Sequence, residues 1–365
     1  MVSRVASRAA RWCCAGALLL LVSGCAQWGY YLQSVRGQLD IWSREKPIQD
    51  VINDAASPSA LRDKLTFALR AREFATTELG LPQNQSYRRY ADLERPYVVW
   101  NVFAASEFST QPAQWCFVMA GCVSYRGYFA KADADAFAAA AGATGNDVYV
   151  GGVPAYSTLG WFADPVLNTF VNYPAVEIAR IIFHELTHQV AYVKDDTVFN
   201  ESFAVAVERE GLRRWIAQHG SARDQQQFDQ RQRYRADFIA LVRTYRTHLD
   251  ALYKQRIAPD AMRESKQRLF DDMQRDYVKL KASWDGFAGY DRWFAQPPNN
   301  ALLASVAIYT QRVPAFEALL REQGGDLPKF YAAVKALAKL DKAARDAALA
   351  RYAPTAPAPT ADDVK

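Results

Sequence analysis

The chain has 365 residues and a formal net charge of +5; half of its residues are hydrophobic and 13% are aromatic. That content excludes a largely disordered polypeptide and leaves room for one large domain or two modest ones. Basic and acidic residues number 44 and 39, a balance with no strong basic patch of the kind that calls for nucleic acid.

The first segment stands apart. "MVSRVASRAAR" has three arginines and no acid, "WCCAGALLLLV" is an apolar run of 11 residues, and "SGC" follows. This is the layout of a secretory signal, so residues 1–24 are predicted to be removed. The run is too short to span a bilayer, which takes about 20 residues. "VSGC" (Val22 to Cys25) resembles the lipobox of bacterial lipoproteins. The resemblance implies a lipidated Cys25 as the first mature residue, and with Ala26 after it, an outer-membrane location facing the periplasm. Loss of Arg4, Arg8 and Arg11 takes the net charge from +5 to +2. Cys116 and Cys122 then remain, six apart around Gly121. In an oxidising exported compartment they are expected to form a disulfide across a tight hairpin, the alternative being two buried thiols.

Downstream, Leu32, Val35, Leu39 and Trp42 recur at helical spacing between Tyr30 and Glu45. A second helix is predicted from Ser59 to Glu78, stopped by "LGLP". Residues 96–104, 114–120, 123–129 and 147–151 read as strands, with an Ala-rich helix before the last. Loop 151–174 is rich in aromatic residues: Tyr156, Trp161 and Phe162 are either substrate walls or packing. From 174 onward the pattern is helical: Pro174 to about Val193, a "KDDT" break, about Val198 to His219, then a charged amphipathic hairpin over 222–285. Phe238, Val242, Tyr245, Leu249 and Leu252 mark its first stripe, and Leu269, Met273 and Tyr277 its second. Apolar helix returns over 295–320. The Pro/Ala-rich end, 353–365, is predicted to be disordered. The expected fold class is α+β and mostly helical, with a small N-terminal mixed sheet and a helical C-terminal half, in one domain over 25–352.

"FHELTHQ" carries the chemistry. On a helix, His184 and His188 lie about 40° apart around the axis and about 6 Å along it, so both imidazoles can reach one metal ion. Glu185 points too far round to join them but can reach a water beside them as general base. Zinc needs a third protein ligand. Glu201, early in the next helix, is the first candidate, and Glu208, further along the same side, is the second, or else it orients an imidazole from behind. Glu177 is a further outer partner. His219 and His248 sit on charged helices and read as solvent-facing.

"HELTH" followed by "NESFA" resembles the gluzincin metallopeptidases, in which a downstream helix supplies the glutamate ligand. With "YSTLGWFADPVL" and "NNA…Y…VPAF", residues 27–350 resemble the predicted zinc aminopeptidase family of bacterial exported lipoproteins. The resemblance implies a zincin-like fold and one Zn²⁺ on His184, His188 and Glu201. It also implies Glu185 as catalytic base and a peptide or protein substrate. The glycine-methionine-glutamate-asparagine motif of the large gluzincin aminopeptidases is absent, so exopeptidase and endopeptidase both stay open. Tyr309 is a candidate donor to the oxyanion, ahead of Tyr156, and Asn299 and Asn300 read as caps. A lipid-anchored envelope module with a vestigial metal site is the alternative from another class.

Overall fold

The structure, a computed structural model, describes residues 28–117 and 121–352. The predicted signal, Cys25 and the predicted tail 353–365 lie outside the described residues. In chain order the elements are α1 (28–44), β1 (Lys46–Pro47), α2 (Ile48–Asn53), α3 (Ser59–Thr77), β2 (Arg89–Ala91), β3 (Val99–Ser106), β4 (Trp115–Phe117), β5 (Gly121–Val123), β6 (Arg126–Tyr128), α4 (Lys131–Ala143), β7 (Asn146–Val153), β8 (Val166–Leu167), α5 (Asn168–Val171), α6 (Ala175–Thr187), α7 (Thr197–His219), α8 (Ala222–Tyr253), α9 (Pro259–Ser283), α10 (Asp291–Phe294), α11 (Asn300–Thr310), α12 (Val313–Glu322), α13 (Leu327–Ala338) and α14 (Lys342–Ala350). The fold is mixed α+β and mostly helical. Among the described residues no helix is long and apolar enough to cross a membrane.

The sheet that matters is antiparallel, with strand order β6-β3-β7, and β3 pairs with β7 along its whole length. A small mixed sheet joins β1, β2 and β8, and β4 pairs with β5 across the Cys116–Cys122 disulfide. The predicted strand 123–129 is two pieces, Val123 ending β5 and Arg126 starting β6.

The main core lies under α6 and α7. Ile178, Ile181, Ile182, Phe183 and Leu186 of α6 meet Phe199, Phe203 and Val207 of α7, with Phe74 and Phe316 from α3 and α12. Both helices are buried on most sides in their inner turns, apolar and polar residues alike. They approach closely because Gly211 faces α6: a Cβ there would sit 2.8 Å from a Phe183 ring carbon and 2.7 Å from Leu79. A second core fills the α8–α9 hairpin, where Phe238, Val242, Tyr245 and Leu249 meet Phe270, Met273 and Tyr277.

Two helices depart from the sequence reading. Helix α6 stops at Thr187 rather than near Val193. Past it the backbone closes in three-residue turns, the Gln189 N–H to the Leu186 carbonyl and the Val190 N–H to that of Thr187, and both backbone groups of Val193 are bound by the Asn200 side chain, N–H to Oδ1 and Nδ2–H to the carbonyl, each at 2.8 Å. Helix α1 forms, but Leu32, Val35, Leu39 and Trp42 face outward; Gly37 and Ile41 are what it buries.

Gly211→Val should wedge α6 and α7 apart and lower stability by about 1–3 kcal/mol, read as a shifted urea midpoint. An unshifted midpoint would mean that the close approach is not needed.

Candidate functional site

His184 occupies the last turn of α6. His188 is its C-cap residue, still helical in backbone (φ −59°, ψ −21°), so the four-residue spacing survives one step past the helix. The two rings stand 5.0 Å apart between centroids. The chain then turns back. Gln189 is tied to Asn84 (2.6 Å) and Ser86 (3.2 Å), Asp195 takes a left-handed φ of 69°, and Asp196 caps α7 by accepting from the Phe199 N–H at 3.1 Å. With the Asn200 clamp on Val193, this return sets Glu201 opposite the histidines.

Glu201 Oε2 lies 3.2 Å from His184 Nε2 and 3.8 Å from His188 Nε2. One ligand atom from each of His184, His188 and Glu201 falls within 4.8 Å of the others, and all three residues are buried. Ligands at about 2.0–2.1 Å from a tetrahedral ion stand roughly 3.3–3.4 Å from one another, so this trio could hold a metal ion with little adjustment.

Glu208 is not the third member of that trio. Its Oε2 meets the other side of His184, at Nδ1, at 2.9 Å, and also Arg180 at 3.2 Å, while Oε1 takes Arg235 of α8 at 3.0 Å. It orients the imidazole from behind. Glu177 is one link further out, paired with Arg180 at 2.7 Å.

The electrostatics follow from burial. Burial favours neutral His184, but hydrogen bonds to Glu201 and Glu208 outweigh it and raise its pKa to about 10. Burial brings His188 down to about 4, so its ring is neutral with a lone pair to give. Its Nδ1 is buried with no hydrogen-bond partner. Burial pushes Glu185 up to about 7 against the pull of the His184 charge, with Glu201 and Asp164 adding to the rise. Burial also opposes ionisation of Glu208, but Arg180, His184 and Arg235 hold its carboxyl far below the usual range.

His184, Glu185, His188, Glu201 and Glu208, with Arg180 and Arg235, line one cavity of about 650 Å³. Tyr30 and Tyr31 of α1, Phe103 of β3, Tyr149 of β7 and Phe129 give it aromatic walls. Tyr309 on α11 faces His184, ring centroids 6.5 Å apart. Tyr156 lines the cavity but spends its hydroxyl on Gln38 of α1. Asn299 caps α11 through the Leu302 N–H, and Asn300 accepts from Tyr253; neither is among the cavity's described lining residues. Trp161 and Phe162 are exposed, neither walls nor core. His219 and His248 are exposed, apart from the site.

Sequence reasoning missed Tyr125 and Tyr192, which line the cavity; Tyr125 lies in the field of Glu201 and Glu185. Only their aromatic type could have flagged them. It also missed the disulfide hairpin's place: Asp195 accepts from the Cys122 N–H at 2.6 Å, so the hairpin packs on the α6–α7 return.

A mixed, mostly helical fold with a metal-competent trio beside a half-buried glutamate suits a hydrolase. The chain belongs to the family described as putative aminopeptidase, whose model matches residues 29–349. Membership makes it a peptidase acting on peptides. No curated protein and no solved structure matches the chain.

Glu208→Gln leaves the partly buried Arg235 without its carboxylate and Arg180 with Glu177 alone, and should cost about 1–3 kcal/mol at neutral pH. Because the Glu208 pKa is depressed in the fold, its contribution is complete above its ordinary value of 4.5 and fades as pH falls through the lower folded value. Urea unfolding should therefore show a gap between variant and wild type that is widest between about pH 5 and 6.5 and narrows on either side, below as Glu208 takes up a proton and above as His184, whose pKa Glu208 helps to raise to about 10, loses one.

Proposed function

We propose that this chain is a zinc-dependent peptidase of the zincin-like, gluzincin type. In this reading it removes residues from the N-terminus of peptides and is exported and lipid-anchored through Cys25 at the outer membrane, facing the periplasm. The observation that carries the catalytic reading is the approach of Glu201 to both imidazoles, with Glu208 bonded to the far side of His184. The signal-like first 24 residues, with "VSGC" at their end, support the anchor.

His184, His188 and Glu201 would hold one Zn²⁺. The charges agree: among the described residues, Glu177, Glu185, Glu201 and Glu208 are paired with or near Arg180 and Arg235 as permanent cations, and His184 makes up part of the difference by keeping a proton. A divalent ion would displace that proton, as metal binding does at histidine sites. Such an ion supplies Lewis acidity and brings the pKa of water toward about 7. Glu185 takes the proton of the attacking water and hands one to the departing amine; a carboxyl near pH 7 suits both directions of transfer. Tyr309 donates a hydrogen bond from its hydroxyl to the oxygen that gains charge on the scissile carbonyl. Glu208 keeps His184 in the tautomer that turns Nε2 toward Glu201.

One observation favours an endopeptidase as the second reading. Among the cavity's described lining residues the acids are Glu185, Glu201 and Glu208, and the last two are engaged by the histidines and arginines. No other lining carboxylate is left to hold a free α-amine.

Purified mature protein should carry about one zinc per chain. Glu185→Gln should keep the metal and lose nearly all turnover, and His188→Ala should lose both. Zinc content near zero in the wild type defeats the reading. Aminoacyl arylamides and end-blocked peptides, assayed side by side, separate the two specificities.

Tyr309→Phe should lower kcat by about 10²–10³-fold with little change in KM. An unchanged kcat would remove Tyr309 from the mechanism.

A further inference from the structure

Helix α1 is apolar on the wrong side. Trp28, Leu32, Val35, Leu39 and Trp42 fall within an arc of about 80° and run about 21 Å along the axis, and they are 37 to 71% exposed. The acid of this helix, Asp40, lies outside the stripe and is bound to Arg44 at 2.8 Å. The stripe continues past the helix: Trp42 packs edge-on against Phe162 at 4.7 Å, and Phe162 and Trp161 are themselves exposed, Trp161 by 69%. Scattered exposed apolar side chains need no explanation, but a continuous band of seven does.

We infer that this band lies on the lipid surface to which Cys25 tethers the chain, with α1 in the headgroup region parallel to the bilayer plane. The inference rests on the lipid-anchor reading. Trp28 is three residues from Cys25, so an acylated Cys25 would hold the start of the stripe at the membrane and leave it no distance to wander. The composition fits an interfacial helix: tryptophans at both ends and at the loop, aliphatic side chains between, and Arg36 exposed at the edge. The opposite side of α1 presents Tyr30 and Ser34 to the cavity that holds Glu185, and Leu159 of the Trp161 loop lines it too. Docking by this face therefore sets the cavity beside the bilayer.

The test uses the full chain, processed in bacteria and reconstituted in vesicles of phosphatidylethanolamine and phosphatidylglycerol. An environment-sensitive fluorophore is placed through Leu39→Cys and, as control, through Val278→Cys on α9, which is 66% exposed. Brominated acyl chains should quench the label at 39 severalfold and leave the label at 278 unaffected. In the same chain freed of its lipid, Leu32→Glu with Leu39→Glu should cut vesicle partitioning by about tenfold or more while leaving hydrolysis of a soluble peptide unchanged. Equal quenching at both positions, or none at 39, overturns the inference. So does a label at 39 that is shielded without lipid quenching in a chain that sediments as a dimer, since the face would then meet a second copy. Mass spectrometry of the N-terminal peptide tests the anchor separately. Lipid on Cys25 with no quenching at 39 leaves the anchor standing and removes the docking; quenching without lipid on Cys25 does the reverse.

Discussion

The site depends on how closely two helices pass. Helix α6 ends on its pair of histidines, and α7 must come back near enough for a short glutamate to reach them. Gly211 lets the two backbones approach where any side chain would collide with Phe183, and Asn200 fixes the return by taking both backbone groups of Val193. These two residues perform no chemistry. They set the distance on which the neighbouring Glu201 depends, and a shift of about an ångström at such a site is costly.

The same pair of helices carries an unusual load of buried charge. A buried carboxylate without partners is costly, and Glu208 is buried almost completely. Its partners come from two directions, Arg180 from its neighbour α6 and Arg235 from the α8–α9 hairpin. The hairpin is therefore more than a packed appendage: it closes the charge balance behind His184. Glu185 and His188 line the same cavity, and burial acts on both, raising the pKa of the first and keeping the second neutral.

Much of this was legible in the letters. Four-residue spacing put His184 and His188 side by side, and "NESFA" after a polar break pointed to a returning helix with Glu201. The apolar stripes of α8 and α9 were read correctly because local periodicity determines them. What the sequence hid was decided by contacts distant in the chain. Nothing in "YVKDD" shows that Asn200 will capture Val193 and hold the return to α7. Tyr125 reaches the cavity from the turn between β5 and β6, some 60 residues before His184. The outward face of α1 was hidden differently: periodicity reports an apolar side but not what it faces, and here it faces away from the protein core.

The central claim is that two imidazoles and one carboxylate grip a zinc ion between α6 and α7. X-ray absorption at the zinc edge of the purified mature protein tests it most directly. The account predicts stoichiometric zinc with only nitrogen and oxygen neighbours at about 2.0–2.1 Å and the outer-shell signature of two imidazoles. Sulfur at about 2.3 Å, a single imidazole, or a spectrum unaltered in Glu201→Ala would contradict it.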